Sequence, residues 1–471
     1  MTSESPFLGR AAELALLEEK YDSPRSELVV IYGRRRIGKS RLVQQFAVNK
    51  PSLQFEALEG ARTPEQLRHF VRSLKRQVQD PLLESFSSRS WDEAFTFLNE
   101  RVLPQRKGKQ IVFLDEFQWM AAGRGKLVSL IKYFWDNHWK KRSVLLILCG
   151  SISSFMVDKV VRSNALYGRI SLEICLRGLP PREAKLLFQK KRSKDEVLRY
   201  LLVFGGVPRY LEEVDLNKSF EQNLSRLCFS PGGFFVGEFE RIFYSQFREH
   251  QTYLRIVRLL ERGILSLDQI SRKLRLPSGG GLKRYLRNLE HAEILGCYQP
   301  FGRGSNAKDK KYVVVDEYLA FYFKYIAPNL KAIASGLGKN LLSKIAAGSL
   351  KSWLGLAFER FCLKHAGALA EAMGFGDQVL DASPYFQRTD EQFQIDLLYR
   401  RSDRVITLCE VKYHEAPVET KIIPEVERKC RLLSVPRGYT LERALISVHG
   451  QSPSLADTHY FHHSLTLDHI L

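Results

Sequence analysis

The chain has 471 residues, which at roughly 100 to 200 residues per domain suggests two to four domains and excludes a small disulfide-stapled fold. Its 44% hydrophobic and 26% charged residues are close to the globular average, which excludes wholesale disorder. The 72 Lys and Arg exceed the 52 Asp and Glu and give a net charge of +20. This excess indicates a polyanionic partner, with nucleic acid the first candidate. A basic protein without an acidic partner is the alternative.

The seven cysteines are scattered and include no C-x-x-C pair, so the sequence predicts neither a disulfide framework nor a zinc knuckle. The first residues carry no apolar signal segment, and the longest apolar run, residues 144–149, is too short to span a membrane. We therefore expect a reduced, cytoplasmic protein with no membrane partner. His459, His462 and His463 are expected to lie in a solvated tail rather than a metal site, because no Cys is nearby.

A glycine-rich segment follows the first apolar run. Residues 28–32 read as a strand, G-R-R-R-I-G-K-S occupies residues 33–40, and a helical pattern comes next. Strand, loop and helix in this order are the context that a phosphate-binding P-loop requires. Lys39 would reach the β and γ phosphate oxygens of ATP, and Ser40 would ligate Mg²⁺. The predicted nucleotide-binding residues here are Gly33, Arg34, Arg35, Arg36, Ile37, Gly38, Lys39, Ser40 and Arg41.

Two further apolar runs end in polar residues. The first, residues 110–114, ends in Asp115 and Glu116. Asp115 would hold Mg²⁺ through its water shell, and Glu116 would activate the attacking water. The second, residues 144–149, leads to Ser151, which is placed to sense the γ-phosphate or polarise the water; a simple turn serine is the alternative. Together these segments predict a Mg²⁺-dependent ATPase.

The first half of the chain resembles the archaeal-type AAA ATPases of the signal-transduction (STAND-like) group. The matching segments are F-L-G-R at 7–10, L-Y-G-R at 166–169 and G-G-V-P-R-Y at 205–210. The resemblance implies that Arg10 helps to seat the nucleotide and that Pro208 and Arg209 act as a sensor in a helical lid. It also implies that Arg169 is a candidate arginine finger, although a surface cation is the alternative. A homo-oligomer is expected if Arg169 acts in trans.

The middle of the chain is strongly basic. Residues 251–311 contain 13 Lys and Arg against five acids, a net charge of +8. The pattern predicts helices over 253–261, 266–274 and 282–294, with Ser266 as an N-cap, and β-runs over 297–300 and 312–315. Three helices followed by a two-stranded wing resemble a winged helix-turn-helix.

In a winged helix the third helix enters the major groove, and the wing contacts phosphates. We therefore predict DNA as the partner. The predicted contacts are Lys283, Arg284 and Arg287 on the helix and Arg303, Lys308 and Lys310 in the wing. The alternative is that this domain extends the ATPase lid and packs against protein.

The last part of the chain places carboxylates and a lysine on neighbouring elements. A predicted strand over 393–399 contains Asp396, and a second over 405–412 contains Glu410 and Lys412. Positions i and i+2 of a strand share a face, so Glu410 and Lys412 project together, and a short hairpin brings Asp396 beside them. Metal-dependent phosphodiester cleavage needs this set. Asp396 and Glu410 would hold Mg²⁺ or Mn²⁺, and Lys412 would position or deprotonate the attacking water.

The spacing D-x13-E-V-K resembles the PD-(D/E)xK nucleases. The whole chain resembles archaeal-type ATPases with a DUF234 restriction-endonuclease-like C-terminal domain. In that superfamily a helix glutamate often joins the site, which implies a role for Glu359 on the predicted helix over 353–365. Ile395 stands where a proline often precedes the first Asp. A degenerate domain that binds without cleaving therefore stays open.

The predicted fold class is multidomain α/β: a P-loop AAA-type ATPase core with a helical lid, a winged helix-turn-helix and a restriction-endonuclease-like α/β domain. The predicted boundaries are 1–175 for the core, 176–250 for the lid, 251–316 for the winged helix, 317–350 for a helical connector and 351–471 for the nuclease-like domain. The predicted function is an ATP-hydrolysing, DNA-binding, metal-dependent nuclease acting in defence, mobile-element maintenance or repair. The alternative is a nucleotide-switched DNA- or protein-binding regulator or scaffold whose nuclease-like domain is inactive.

Overall fold

The computed structural model describes residues 6–121, 126–151, 155–246, 250–261, 263–301, 310–387 and 391–471. The chain divides into two compact units, residues 1–178 and 179–471. The predicted multidomain α/β fold, with a parallel P-loop core and a separate C-terminal mixed sheet, is confirmed. The predicted boundaries within the second unit remain predictions. In the described ranges, no helix has both the length and the apolar character needed to cross a membrane.

The first unit is built on a five-stranded sheet in the order β2-β3-β4-β1-β5, and all neighbouring strands are parallel. The strands are β1 (Glu27–Gly33), β2 (Ser52–Glu56), β3 (Gln110–Asp115), β4 (Val144–Ser151) and β5 (Ile170–Leu176). Strands β3 and β4 are buried along their whole length, as continuous apolar runs in the middle of a parallel sheet are. Because the strands are parallel, the residues that follow β1, β3 and β4 meet at one edge.

The described ranges of this unit contain seven α-helices. They are α1 (Ala11–Asp22), α2 (Lys39–Phe46), α3 (Thr63–Gln77), α4 (Pro81–Ser85), α5 (Trp91–Phe97), α6 (Phe117–Met120) and α7 (Lys126–Asn137). Helix α2 begins directly after the glycine-rich loop and packs on β1 and β4 through a buried face formed by Leu42, Val43 and Phe46. Its N-terminus therefore points to the edge where β1 ends.

The second unit begins with a group of helices, here called the lid. They are α8 (Pro181–Ala184), α9 (Lys194–Phe204), α10 (Pro208–Leu211), α11 (Phe220–Cys228) and α12 (Glu238–Gln246). Helix α9 starts at a Ser193 N-cap, whose hydroxyl accepts a hydrogen bond from the Glu196 amide. Every residue from 200 to 204 of α9 is buried, so this helix is a central core element.

Three helices and a small antiparallel sheet follow the lid. They are α13 (His250–Leu260), α14 (Leu267–Leu274), α15 (Gly280–His291), β6 (Leu265–Ser266), β7 (Leu295–Tyr298) and β8 (Lys311–Val314), with the sheet order β6-β8-β7. Ser266 caps α14 as predicted, and Gln269 completes a capping box. Arg303 and Lys308 lie outside the described residues, so their predicted DNA contacts stay predictions.

The C-terminal domain is a mixed five-stranded sheet in the order β13-β12-β11-β10-β9. Strands β9, β10 and β11 are antiparallel neighbours, whereas β11, β12 and β13 are parallel. The strands are β9 (Val379–Gln387), β10 (Phe393–Arg401), β11 (Val405–Lys412), β12 (Thr440–Ser447) and β13 (His463–Leu465). Both faces of β11 are buried, which makes it the central strand of this domain.

Short helices α16 (Glu317–Phe321), α17 (Leu330–Ala334) and α18 (Leu341–Gly348) lead into this domain, which adds α19 (Leu350–Lys364), α20 (Ala366–Ala372), α21 (Ile423–Leu432), α22 (Pro453–Ala456) and α23 (Leu467–Ile470). Helix α19 packs on β10 and β11. Helix α21 connects the parallel strands β11 and β12, as such a crossover requires. Its Val426 joins the core with Leu398 and Leu408.

Lid and C-terminal domain share one core. Helix α9 packs against α16, α19 and α23. The Lys364 ammonium on α19 donates to both oxygens of Glu317 on α16, at 3.0 and 2.9 Å. Gly205 ends α9 with φ 67°, and a Cβ there would lie 2.5 Å from a Glu317 oxygen, so only glycine fits.

The expectation of a solvated histidine tail holds for His459 and His462, which are exposed, but is wrong for His463 and for the segment as a whole. His463 begins β13 and pairs with Ala444 of β12. Its ring lies 5.4 Å from the Phe375 ring, and its Nε2 is 3.1 Å from Glu442. Apolar residues in this segment, including Leu465 and Ile470, are buried and anchor it to the domain.

Candidate functional site

The glycine-rich loop encloses a buried cation. Lys39 is 5% exposed, and its Nζ donates to the carbonyl oxygens of Gly33 and Arg34, each at 3.1 Å. Gly38 has φ 90° at the N-terminus of α2, a conformation that glycine adopts without strain. A Cβ at Gly33 would lie 2.3 Å from the Leu176 carbonyl oxygen, so the loop packs closely on the end of β5. A buried ammonium beside a helix N-terminus is the arrangement that binds phosphates.

The other predicted loop residues lie around this cation. Arg35 pairs with Glu59 at 2.7 Å, whereas Arg34 is buried. Arg36 has φ 69° and helps the loop to curl. Ile37 is fully buried. Ser40 and Arg41 are the second and third residues of α2.

Arg10 connects the N-terminal segment to the loop. Its side chain is buried and donates to the carbonyl oxygens of Ile37 at 3.1 Å and Arg177 at 2.5 Å. It also pairs with Glu13 at 3.0 Å. Arg10 therefore fixes the backbone of the loop through the Ile37 carbonyl, next to the predicted nucleotide position.

The acid pair lies two strands away from β1, at the end of β3. Asp115 ends β3, and its Oδ1 accepts the Glu116 backbone N–H at 2.9 Å. Glu116 has φ 49°, which turns its side chain out of the strand. The Ser151 hydroxyl lies 3.5 Å from each Glu116 oxygen, so the ends of β3 and β4 bring the predicted base and sensor together. Burial, followed by Asp115 and Glu116, raises the pKa of Glu56 at the end of β2.

Gln118 is a functional candidate that sequence reasoning missed. Its amide nitrogen donates to Glu116 Oε2. Its Oε1 is buried and has no hydrogen-bond partner within the described ranges. A Cβ at Gly150 would come within 2.3 Å of that oxygen, so Gly150 provides the space. In the sequence, the only signal for this role of Gln118 is its position two residues after Glu116.

The predicted arginine finger lies at the opposite edge of this sheet. Arg169 precedes β5, at the level where β1 begins. Its guanidinium donates two hydrogen bonds to Asp136, at 2.7 and 2.8 Å. These bonds lower the pKa of Asp136 to about 2. Within its own chain Arg169 is therefore remote from the P-loop, and a role in trans stays a prediction.

The predicted lid sensor lies at the start of α10, where Pro208 is the first residue. Arg209 is 51% exposed and pairs with Glu213 at 2.5 Å and with Glu212 at 3.8 Å. Its guanidinium lies 5.7 Å from the centre of the Phe234 ring. These contacts order Arg209 inside the second unit, and sensing stays a prediction.

The basic helix α15 is amphipathic. Leu282, Leu286 and Leu289 are buried, whereas the predicted DNA-contact residues of this helix are exposed. Those residues are Lys283, Arg284 and Arg287. Lys310, next to β8, is also exposed. The cationic face of α15 is therefore available to an anionic partner.

The C-terminal carboxylates converge at the ends of β10 and β11. Leu397 pairs with Cys409, so Asp396 and Glu410 are the next residues along the two strands. Asp396 Oδ2 accepts the Val411 backbone N–H at 3.1 Å. Glu410 is fully buried, and Lys412 Nζ lies 2.6 Å from its Oε1. The structure thus brings the three predicted residues together.

Glu359 on α19 faces the same place. Burial, followed by Asp396, raises its pKa to about 7. Burial, followed by Glu410, raises the pKa of Asp396 as well. Three carboxylates therefore crowd together in a poorly solvated region, and a cation would relieve their repulsion.

Lys429 completes this cluster and was missed from the sequence. It lies on α21 and donates to Glu410 Oε2 at 2.7 Å. It is 7% exposed and is also 3.4 Å from Glu425. No motif spacing links it to the strand residues, because the crossover helix alone brings it back to β11.

In this parallel sheet a glycine-rich loop follows β1, and an Asp-Glu pair follows β3, which is separated from β1 by β4. These features define a P-loop ATPase core. Residues 7–214 match an ATPase domain found predominantly in Archaea, and residues 322–423 match DUF234, a domain of archaeal and bacterial proteins of unknown function. Two segments of the chain are therefore similar, in order, to an archaeal-type ATPase domain and to a DUF234 domain. Asp396, Glu410, Lys412 and Glu359 lie inside the DUF234 match.

Individual proteins are similar to this chain in sequence or in structure. The uncharacterized protein MJECL04 of Methanocaldococcus jannaschii is 29% identical over 433 residues, which cover 91% of this chain and 93% of the relative. The Walker-type ATPase PABY2304 of Pyrococcus abyssi is similar in structure, with 22% identity, a TM-score of 0.48 and coverage of 68% of this chain and 96% of that one. The Aeropyrum pernix ORC2 protein gives 15% identity, a TM-score of 0.43 and coverage of 74% and 98%.

Proposed function

We propose that this protein hydrolyses ATP, binds DNA and cleaves phosphodiester bonds with a divalent metal in its C-terminal domain. The observation that carries the nuclease assignment is the convergence of Asp396, Glu410 and Lys412 at the ends of two paired strands, with Glu359 beside them. The proposal implies a role in defence, mobile-element maintenance or repair.

The ATPase part of the proposal follows from the first unit. Lys39 would exchange its two carbonyl partners for phosphate oxygens of ATP, and Ser40 and Asp115 would hold Mg²⁺. Glu116, held by Ser151 and Gln118, would orient and deprotonate the attacking water.

The C-terminal residues fit a hard divalent cation. The raised pKa values of Asp396 and Glu359 show negative charge that this environment compensates poorly. The described residues contain no group of three or more His, Cys, Asp or Glu able to hold a metal. Mg²⁺ often binds through only one or two carboxylates, with water and substrate phosphate as its other ligands. Asp396 and Glu410 would supply those carboxylates, for Mg²⁺ or Mn²⁺.

A metal bound there would supply Lewis-acid activation of the phosphate and lower the pKa of a coordinated water. The contribution of the chain itself is positional. Val411 fixes the Asp396 carboxylate, and Lys412 presents an ammonium at the mouth of the site, where it would orient the attacking water and offset the charge of the phosphate.

The DNA-binding part of the proposal rests on α15. With three helices and the sheet β6-β8-β7, residues 250–314 have the elements of a winged helix, and α15 is its third helix. Its three cations are exposed rather than packed against the lid. This exposure favours nucleic acid over a purely structural role.

A second candidate is a nucleotide-switched regulator whose C-terminal domain does not cleave. One observation favours it: Glu410 is already neutralised by Lys412 and Lys429, at 2.6 and 2.7 Å. A carboxylate paired with two ammonium groups has less need of a metal.

The deciding experiment incubates the purified chain with plasmid, oligonucleotide and branched substrates in Mg²⁺ or Mn²⁺, with and without ATP. We expect cleavage that falls by at least about 100-fold in Asp396→Ala, Glu410→Gln and Lys412→Ala, because each loses a group that acts on the transition state. Asp377→Asn, an exposed acid of the same domain, is the matched control and should cleave normally. ATPase activity should not change. Absence of cleavage with either metal would favour the regulator, and full cleavage by Glu410→Gln would exclude this carboxylate cluster as the site of cleavage.

A further inference from the structure

A cavity of about 340 Å³ opens beside the candidate nuclease site. It lies between the small antiparallel sheet and the C-terminal domain, both in the second unit. Its apolar lining includes Ile264, Val313, Trp353, Leu356 and Phe386. Asp396 and Glu359 form part of the same wall. The cavity is therefore continuous with the carboxylates proposed to hold the metal.

The cavity is also lined by the guanidinium of Arg360, which Glu317 and Glu359 attract electrostatically. Arg360 forms no ion pair with any residue in the described ranges, and its guanidinium lies 5.5 Å from the centre of the Trp353 ring. Burial lowers the Arg360 pKa. A guanidinium that is poorly hydrated and stacked on an aromatic ring is well suited to a planar, bidentate contact with phosphate.

Lys324 provides a second positive charge at the same cavity. It is exposed, and it too forms no ion pair within the part of the chain that the structure describes. Two cations therefore face an apolar chamber that has carboxylates at one end. Such a chamber complements a ligand with an anionic backbone, a flat apolar face and a bond to be cut.

We propose that this cavity holds one unpaired nucleotide of a single-stranded nucleic acid next to the cleaved bond. The inference rests on the proposed nuclease function and adds its substrate class. Arg360 and Lys324 contact backbone phosphate, and the base lies against the exposed ring of Phe386.

The size of the cavity supports a single strand over an intact duplex. Its volume is at the lower end of the ~300 to 1,000 Å³ typical of small-ligand sites, which suits one nucleotide unit rather than two paired nucleotides with their backbones. A base inside a duplex reaches such a cavity only after it is unstacked and unpaired, whereas a base in a single strand reaches it without that cost. Stacking on aromatic side chains is also how proteins bind single strands without sequence preference.

The test measures binding by the full-length chain in EDTA, where no metal-dependent cleavage occurs. Fluorescence anisotropy compares a labelled oligo-dT, an oligo-U and a duplex of the same length. Arg360→Gln should weaken single-strand binding by about tenfold or more, because a charged hydrogen bond is lost. Leu356→Glu should do the same by placing a carboxylate at the cavity mouth. Leu356 is 54% exposed, so this second variant keeps the core intact.

Arg431→Gln is the matched control, since it removes one exposed positive charge from α21, away from the cavity lining. It should leave single-strand affinity unchanged, and all three variants should bind duplex like the parent chain. The oligo-dT and oligo-U arms decide between DNA and RNA. Equal losses on single strand and duplex, or single-strand affinity unchanged in both cavity variants, would overturn the proposal.

The two hypotheses fail separately. If Arg360→Gln and Leu356→Glu lose single-strand binding in a chain that cleaves nothing, the cavity proposal stands and nuclease activity falls. If the chain cleaves duplex and single strand equally and both variants cleave like the parent chain, nuclease activity stands and the cavity proposal falls.

Discussion

Glu116 is held by side chains from two neighbouring strand ends. Gln118 donates to one of its oxygens, and the Ser151 hydroxyl lies within 3.5 Å of both. A general base is effective only when it is held in reach of the proton that it removes. We therefore expect binding of ATP and its hydrolysis to depend on different residues of this site, since the Lys39 ammonium donates to the Gly33 and Arg34 carbonyls.

This separation gives a prediction for two single variants. Lys39→Ala should abolish nucleotide binding, because the phosphates lose their buried cation. Glu116→Gln should bind ATP normally and lose turnover. Fluorescent-nucleotide titration and phosphate release distinguish the two effects. Lys107→Ala, which removes an exposed lysine of the same unit, is the control. Robust turnover by Glu116→Gln would show that another group is the base.

Sequence reasoning located site residues where their spacing along the chain is local. Lys39 and Asp115 follow from one loop and one strand end, and the structure places both at the same edge of the sheet. Gln118 and Lys429 were missed, since their roles depend on contacts that only the fold creates. Glu359 was reached through family resemblance alone.

At the scale of single elements, α15 combines a buried leucine face with an exposed cationic face. Its apolar side fixes it to α13 and β7, so the cations are presented on a rigid surface. A rigid row of cations binds phosphates with a strong dependence on salt, because each contact releases counter-ions.

Replacing Lys283, Arg284 and Arg287 with Gln should therefore weaken DNA binding and reduce the slope of log K against log salt by up to about 3, near one unit per lost phosphate contact. The matched control neutralises Lys140, Lys141 and Arg142, three exposed cations of the first unit. A salt titration of duplex binding measures both slopes. Equal slopes in the α15 variant and the parent would assign these charges to another role.

The elements differ in how well the sequence predicts them. Helices α13, α14 and α15 follow from apolar periodicity and a capping serine, and the observed bounds differ from the predicted ones by no more than about three residues. Strand β6 was missed because it has only two residues. Strand β13 was also missed, since its three residues gain their order from pairing with β12.

At the scale of the whole molecule, the position of Arg169 bears on assembly. It is at the sheet edge away from its own P-loop and is held by Asp136. An arginine finger there can act only on the nucleotide of another subunit. Active sites would then lie between chains.

We therefore expect ATPase activity per chain to rise with protein concentration. Arg169→Ala should lower the activity of the assembled protein by about a thousandfold, which is typical of a lost arginine finger. Lys132→Ala removes the other cation on Asp136 and is the matched control. Light scattering with bound ATP should show an oligomer. A monomer that keeps full activity on dilution would rule out the trans role.

The core shared by α9, α16 and α19 limits where the chain can be cut without separating residues that pack together. The Glu317–Lys364 pair is buried where these helices meet, and leaving one partner without the other costs about 3 to 5 kcal/mol. The natural cutting point is therefore near Gly178, ahead of the lid. An exchange of residues 351–471 alone would replace the Lys364 side of this core and leave the Glu317 side without its partner. We therefore expect a fragment that begins near Gly178 to keep this core whole, whereas a fragment that begins at residue 351 would not.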